Sequence, residues 1–301
     1  MLNILLIPIF LLFGILLQKV KKLPSGLSAY LNQYLIYVVL PALALKYLPF
    51  VDMDVKLLLP IASAYISFGL SWLIFGSLGK KLTWSDGITG CLIITAGLAN
   101  TSFVGFPIVR ALYGEEGVEI ALLIDQAGSF IIVSSIAIIV ASIYGKGKKR
   151  KRDISWKILS FPPFIFFVLA IGMNWLKVST PSFIMPALDW IAFSLTPVAL
   201  TSVGLQVKIN WQGMKSYYLW YGLLYKLIFI PLVIWGLFKH VFELEGLPLQ
   251  VSVIESAMAP MITGSIIAIS HDLEPKLASL LVGVGIPLSF LTIACWYWLI
   301  G

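Results

Sequence analysis

Apolar runs long enough to cross a bilayer recur along the whole chain, and no other feature constrains its fold as much. About 20 apolar residues carry a helix through hydrocarbon. Polar breaks divide the 301 residues into ten runs, at 3–19, 27–48, 57–79, 87–113, 118–144, 156–177, 184–206, 214–239, 248–270 and 275–300. Backbone in lipid must satisfy its own hydrogen bonds, so such runs are read as helices. Only 12% of the residues are charged, about half the share of a soluble domain. The expectation is an all-α membrane protein of ten transmembrane helices. The opening MLNILLIPIFLLFGILLQKVKK carries its lysines after the apolar run and has no small-residue cleavage site, so it reads as the first span rather than a leader.

Basic residues set the orientation. Fifteen Lys and Arg fall in the five loops of one face, including the run GKGKKRKRD (145–153), and five fall on the other. This bias places the basic loops in the cytoplasm and both termini outside, in a cell membrane. The net charge of +7 is thereby explained by the lipid surface, and no nucleic-acid partner is expected. Cys91 and Cys295 both lie in apolar runs, so no disulfide framework is implied.

The basic loop halves the chain. Residues 1–145 hold five spans, 146–155 form a linker, and 156–301 hold the other five. Five is odd, so the halves enter the membrane in opposite senses, as two inverted five-helix repeats. Spans two and seven share a proline at similar depth, Pro41 in VVLPALAL and Pro197 in SLTPVALTSVGL. Spans four and nine are both interrupted, by GLANTSFVGFP (97–107) and ESAMAPMITGS (255–265); aligning their ends at an offset of 158 sets Asn100 opposite Met258 and Ser102 opposite Pro260. Gly97, Gly105, Pro107, Pro260 and Gly264 are the helix breakers. Two broken helices crossing at the midplane would bring four half-helix ends together, an arrangement suited to a charged solute.

NQYLIYVVLPAL (32–43), GLANTSFVGFPI (97–108), LTPVALTSVGL (195–205) and ESAMAP (255–260) together resemble the auxin efflux carrier family over essentially the whole chain. Ser102 stands where members often carry glycine. The resemblance implies a fold similar to that of bile-acid/sodium symporters. Spans 1, 2, 6 and 7 would form a scaffold and spans 3–5 and 8–10 a transport domain moving as an elevator, in a homodimer joined through the scaffolds. A glutamate before the ninth-span crossing helps bind sodium in those symporters, and Glu255 looks similarly placed.

Ionisable groups inside spans are functional candidates by default. Candidate substrate contacts are Asn100, Thr101, Ser102, Asp125, Gln126, Pro41, Thr196, Pro260 and Thr263; candidate ion-coupling residues are Glu255, Asn100, Thr101 and Asp125. Sodium at Glu255, Asn100 and Thr101 is the one metal considered, with no other cofactor; His240 and His271 have no partner at ligand spacing. Lys226, alone in YGLLYKLIFIP, is read as a partner of Glu255 or Asp125, and Asp189 as a helix cap near the outer surface. The leading function is secondary transport of a small organic anion, auxin-like or a mono- or dicarboxylate, coupled to Na⁺ or H⁺. An uncoupled uniporter is the alternative within that fold, and a channel or membrane-embedded enzyme outside it. No GxSxG, HExxH or Walker motif occurs, so the chain is expected not to be an enzyme.

Overall fold

A computed structural model describes residues 2–20, 23–24, 26–145, 161–207 and 214–301. The basic run 146–153 and the start of the expected sixth span lie outside the described residues. Every element among the described residues is helical. Helix α1 is Leu2–Leu17, α2 Leu27–Phe50, α3 Val55–Lys81 and α4 Asp86–Gly97. The 44-residue stretch Thr101–Tyr144 is two helices, α5 (101–113) and α6 (115–144), because Gly114 turns the chain at φ 70°, ψ −157°. Then follow α7 Pro162–Trp175, α8 Met185–Gln206, α9 Tyr217–His240, α10 Gly246–Ser256, α11 Ile262–Ser270 and α12 Pro275–Ile300. Among the described residues, six helical stretches are long and apolar enough to cross a membrane, and three shorter apolar helices accompany them.

The fourth and ninth spans are interrupted where the glycines and prolines stand, at 98–100 between α4 and α5 and at 257–261 between α10 and α11. There the two chains meet as an isolated antiparallel bridge of Ala99 with Pro260. Asn100 N–H donates to the Ala259 carbonyl at 2.9 Å and Met261 N–H to the Leu98 carbonyl at 3.0 Å. Pro260 occupies the position between these bonds, where an antiparallel pair needs no N–H. The groups freed by breaking two helices thus satisfy each other at a depth without bulk water. The second interruption is two residues longer than the first, so no single offset relates the two: Gly97 and Ser256 end the first half-helices, and Thr101 and Ile262 start the second.

Pro107 does not break its helix. A π-helical turn, Thr101–Gly105, precedes it and closes with Phe106 N–H on the Thr101 carbonyl. Turns of the same kind, Leu35–Val39 and Tyr225–Phe229, stand before Pro41 and Pro231. The widened turn takes up the proline's missing donor and the clash of its ring with the preceding turn. A fourth π turn, Ile124–Ser129, is followed by no proline and carries Asp125 and Gln126.

Polar bonds tie the helices into two sets. In the first, Gln18 Nε2 on α1's exit donates to the Gly204 carbonyl of α8 at 2.7 Å, Ser202 Oγ of α8 donates to Asn32 Oδ1 of α2 at 2.6 Å, and Asn174 Nδ2 of α7 donates to the Leu48 carbonyl of α2 at 2.9 Å. In the second, Tyr225 Oη of α9 donates to the Ser67 carbonyl of α3 at 2.6 Å, Ser71 Oγ of α3 to the Ile93 carbonyl of α4 at 2.9 Å, and Trp296 Nε1 of α12 to the Leu227 carbonyl of α9 at 3.0 Å. Helices α1 and α8 cross backbone to backbone at Gly14 and Gly204: a Cβ on Gly204 would stand 2.9 Å from the Gly14 Cα and overlap the Leu11 carbonyl. Backbone cannot yield as a side chain does, so Gly204→Ala should destabilise by about 1–3 kcal/mol. A melting curve in detergent checks this, with Gly236→Ala, which meets nothing within 4 Å, as the unaffected control.

Candidate functional site

Two cavities flank the crossing. The larger, of about 290 Å³, runs from the crossing toward the ends of α6 and α11, with Ile36 and Leu40 of α2 as its far wall. The smaller, about 10 Å³, lies on the other side of α5 and has the volume of a single water molecule. Thr101 and Ser102 are neighbours, but the helical step between them, somewhat smaller in this widened turn than the roughly 100° of an α-helix, separates the two sides. Thr101 lines the small cavity and Ser102 the large one.

Asp125 joins the two residues. Its Oδ1 accepts hydrogen bonds from the hydroxyls of Thr101 and Ser102, and its Oδ2 accepts from Gln126 Nε2 at 2.6 Å. Asn100 caps the π turn of α5, its Oδ1 accepting from Phe103 N–H at 3.3 Å. That leaves Asn100 Nδ2 and Gln126 Oε1 without partners among the described residues, on side chains that are each 2% exposed and belong to the lining of the large cavity.

The small cavity holds Lys226 and Glu255, both fully buried. Among the described residues, neither the Lys226 ammonium nor either Glu255 oxygen has a hydrogen-bond partner. Ser63 and Ser67 border the same space and spend their hydroxyl hydrogens on the carbonyls of Pro60 and Ser63, at 2.6 and 2.7 Å. Their oxygens therefore face the cavity as acceptors. Gly105 is required here by close approach, since any Cβ would collide with the Glu255 carboxylate.

Of the expected substrate contacts, Asn100, Ser102, Asp125, Gln126 and Thr263 line the large cavity together. Four others are placed differently, Thr101 among them in the small cavity. Pro41 is buried one position past Leu40, and Ile36 and Leu40 make the α2 wall in its stead. Pro260 is held in the bridge and packs against Gly285. Thr196 lines a third cavity of about 290 Å³, with Pro107, Arg110 and Glu115. Of the expected sodium ligands, Thr101 and Glu255 line the small cavity together with Lys226, whereas Asn100 lines the large one, its Oδ1 accepting from Phe103 N–H. Of the expected helix breakers, Gly97 packs against Ser71 and Gly264 against Leu98. Asp189 pairs with Lys46 of α2 at 3.0 Å instead of capping a helix.

Sequence reading missed a network at the third cavity. Arg110 Nε donates to Glu115 Oε1 at 2.9 Å and its Nη1 to the Ala192 carbonyl of α8 at 2.7 Å, while Tyr47 of α2 donates to Glu115 Oε2. The signal available was Arg110 followed by YGEE, a basic residue one turn before a glycine reversal and two acids.

A family model described as a membrane transport protein matches residues 1–297. The chain is similar to an uncharacterized transporter of Methanocaldococcus jannaschii, 25% identical over 304 residues that cover 96% of this chain and 92% of that one. It is also similar to an uncharacterized transporter of Methanothermobacter thermautotrophicus, 24% identical over 299 residues that cover 98% and 96%. The resemblance drawn from the four motifs is borne out at the level of the family.

Proposed function

The chain belongs to the membrane transport protein family, and on that premise we propose that it is a secondary transporter of a small organic acid, carried in the 290 Å³ cavity at the crossing. One observation carries this reading. A cavity with a few convergent polar groups lies where two interrupted helices meet, and its opposite wall is α2, a helix tied to the other set. Such a seam suits alternating access. We read α1, α2, α7 and α8 as the scaffold and the remaining helices as the unit that moves as an elevator. The two families of polar ties support that division. Both termini outside, and a homodimer through the scaffold, complete the proposal.

Protons are the coupling ion in this reading. Sodium fits less well, because the Lys226 ammonium already lies in the cavity of Glu255. The carboxyl that faces the large cavity is Asp125. Purified protein in liposomes should accumulate a labelled organic acid when an inward proton gradient is imposed. Replacing sodium by potassium should leave uptake unchanged. Saturable flux without accumulation would replace the coupled carrier by a uniporter, and conductance far above carrier turnover would replace it by a channel.

A further inference from the structure

A furrow on the outer side of α3 is separate from the three cavities above. It measures about 450 Å³ and follows Gly69, Leu73, Gly76 and Lys80, with Trp72 and Tyr144 as its sides. Steps of three and four residues put these α3 positions on one helix face, and Gly69, Leu73, Ser77 and Lys80 are exposed on it. The furrow opens where two helices part. At the level of Ala127, α3 and α6 touch: a Cβ on Gly128 would stand 2.8 Å from that of Ala64, and Tyr65 Oη donates to the Ala127 carbonyl at 2.8 Å. Toward Lys80 the helices separate and the Tyr144 ring reaches across, its hydroxyl 3.6 Å from where a Gly76 Cβ would stand. A Cβ on Gly69 would meet nothing within 4 Å, so this space is open.

The length fits one leaflet of a bilayer. Gly69 and Lys80 are eleven residues apart, a rise of about 16 Å along an α-helix, and half of the hydrocarbon core is about 15 Å. Lys80 and Lys81 end the helix, at the depth where headgroups begin. Charge then selects the occupant. Besides the Tyr144 phenol, Lys80 is the one ionisable group that lines the furrow. The two ion pairs among the described residues, Lys46–Asp189 and Arg110–Glu115, do not involve it. In sequence the run GKGKKRKRD follows Tyr144 directly, so the excess at this end has a single sign. That sign disfavours the run itself as the occupant. It disfavours a second copy as well, because a two-fold contact here would set Lys80 and Lys81 against their own equivalents. An anionic headgroup meets neither objection.

We propose that this furrow binds one phospholipid of net negative charge from the leaflet on the side of the basic loops. An acyl chain lies along Gly69, Leu73 and Gly76, and the Lys80 ammonium holds the phosphate, with the Ser77 and Tyr144 hydroxyls as further donors.

Native mass spectrometry of the purified full chain in detergent tests it, with dioleoyl phosphatidylglycerol and dioleoyl phosphatidylcholine as probes. The first phosphatidylglycerol should bind at least tenfold tighter than phosphatidylcholine. Lys80→Gln should weaken it about fivefold, the share of one surface charge, and leave phosphatidylcholine unchanged. Gly69→Leu, which fills the furrow without altering a charge, should weaken both lipids. Lys56→Gln, at the other end of α3, should change neither. Equal affinity for the two lipids, or phosphatidylglycerol binding unmoved by both furrow variants, overturns the proposal. A preference kept in Lys80→Gln but lost when the six basic residues of 146–152 become glutamine also overturns it, because the run would then hold the headgroup. Displacement of the lipid by an equal concentration of inorganic phosphate overturns it too, in favour of a site for free anions.

Discussion

Replacing Lys226 by methionine should destabilise the protein by about 3–5 kcal/mol, the loss expected when a buried charge is left without its counterpart. Lys226 and Glu255 are both fully buried, and they are the charged side chains of a cavity that holds no more than a water molecule. Neither makes a direct hydrogen bond among the described residues, so their mutual field in a low dielectric is what each gains from the other. Glu255→Gln should be harmful for the same reason, because it strands the ammonium. The double variant K226M/E255Q should recover most of the loss, as uncharged groups of similar volume need no partner. Cys91 is fully buried on α4 and free, so a thiol-reactive dye reports unfolding directly in a Cys295→Ser background. Sodium supplies a second readout. The wild-type melting temperature should be indifferent to NaCl against KCl, whereas K226M, with its tethered cation gone, should be raised by sodium. Single variants that melt with the wild type, or a double variant worse than both singles, would show that the two charges do not compensate each other.

Much of this architecture is legible in the sequence because membrane depth makes irregular backbone conspicuous. Gly97, Asn100 and Pro260 stand in apolar runs where helix breakers have no place unless a break is wanted, and both interruptions fall there. Pro107 misleads for the same reason. It has the chemistry of a breaker, but the π turn of Thr101–Gly105 absorbs it, and whether a turn widens depends on packing that a single chain does not display. The separation into two cavities is hidden as well. Thr101 and Ser102 look like one polar pair, and only their rotation about α5 sends one toward Glu255 and the other toward the large cavity. Glu255 with Asn100 and Thr101 likewise looks like one site, whereas Asn100 lines the large cavity and the other two the small one. Arg110 and Glu115 are five residues apart, too far for neighbours on one helix. They meet because Gly114 reverses the chain between them.

That meeting leads to the second large effect. The Arg110–Glu115–Tyr47 network joins α5 and α6 to α2 and α8 beside the third cavity. If the crossing moves against the scaffold, these bonds must break. In the proposed division, Tyr47 and the Ala192 carbonyl belong to the scaffold and Arg110 and Glu115 to the moving unit. Hydrogen bonds to charged groups contribute about 1.5–3 kcal/mol each. Removing the Arg110 contact should therefore shift the balance between the two faces by roughly 10- to 150-fold toward the state open on this side. Thr196 lines the cavity beneath the network and reports on it. In a variant with Cys91 and Cys295 replaced by serine, Thr196→Cys should react slowly with a membrane-impermeant thiol reagent added from outside. Adding Arg110→Ala or Glu115→Gln should raise that rate at least tenfold. Lys46→Ala, which breaks a pair between α2 and α8 within one set, should not. An unchanged rate in both network variants would mean that Arg110 and Glu115 stabilise the fold without holding this face closed.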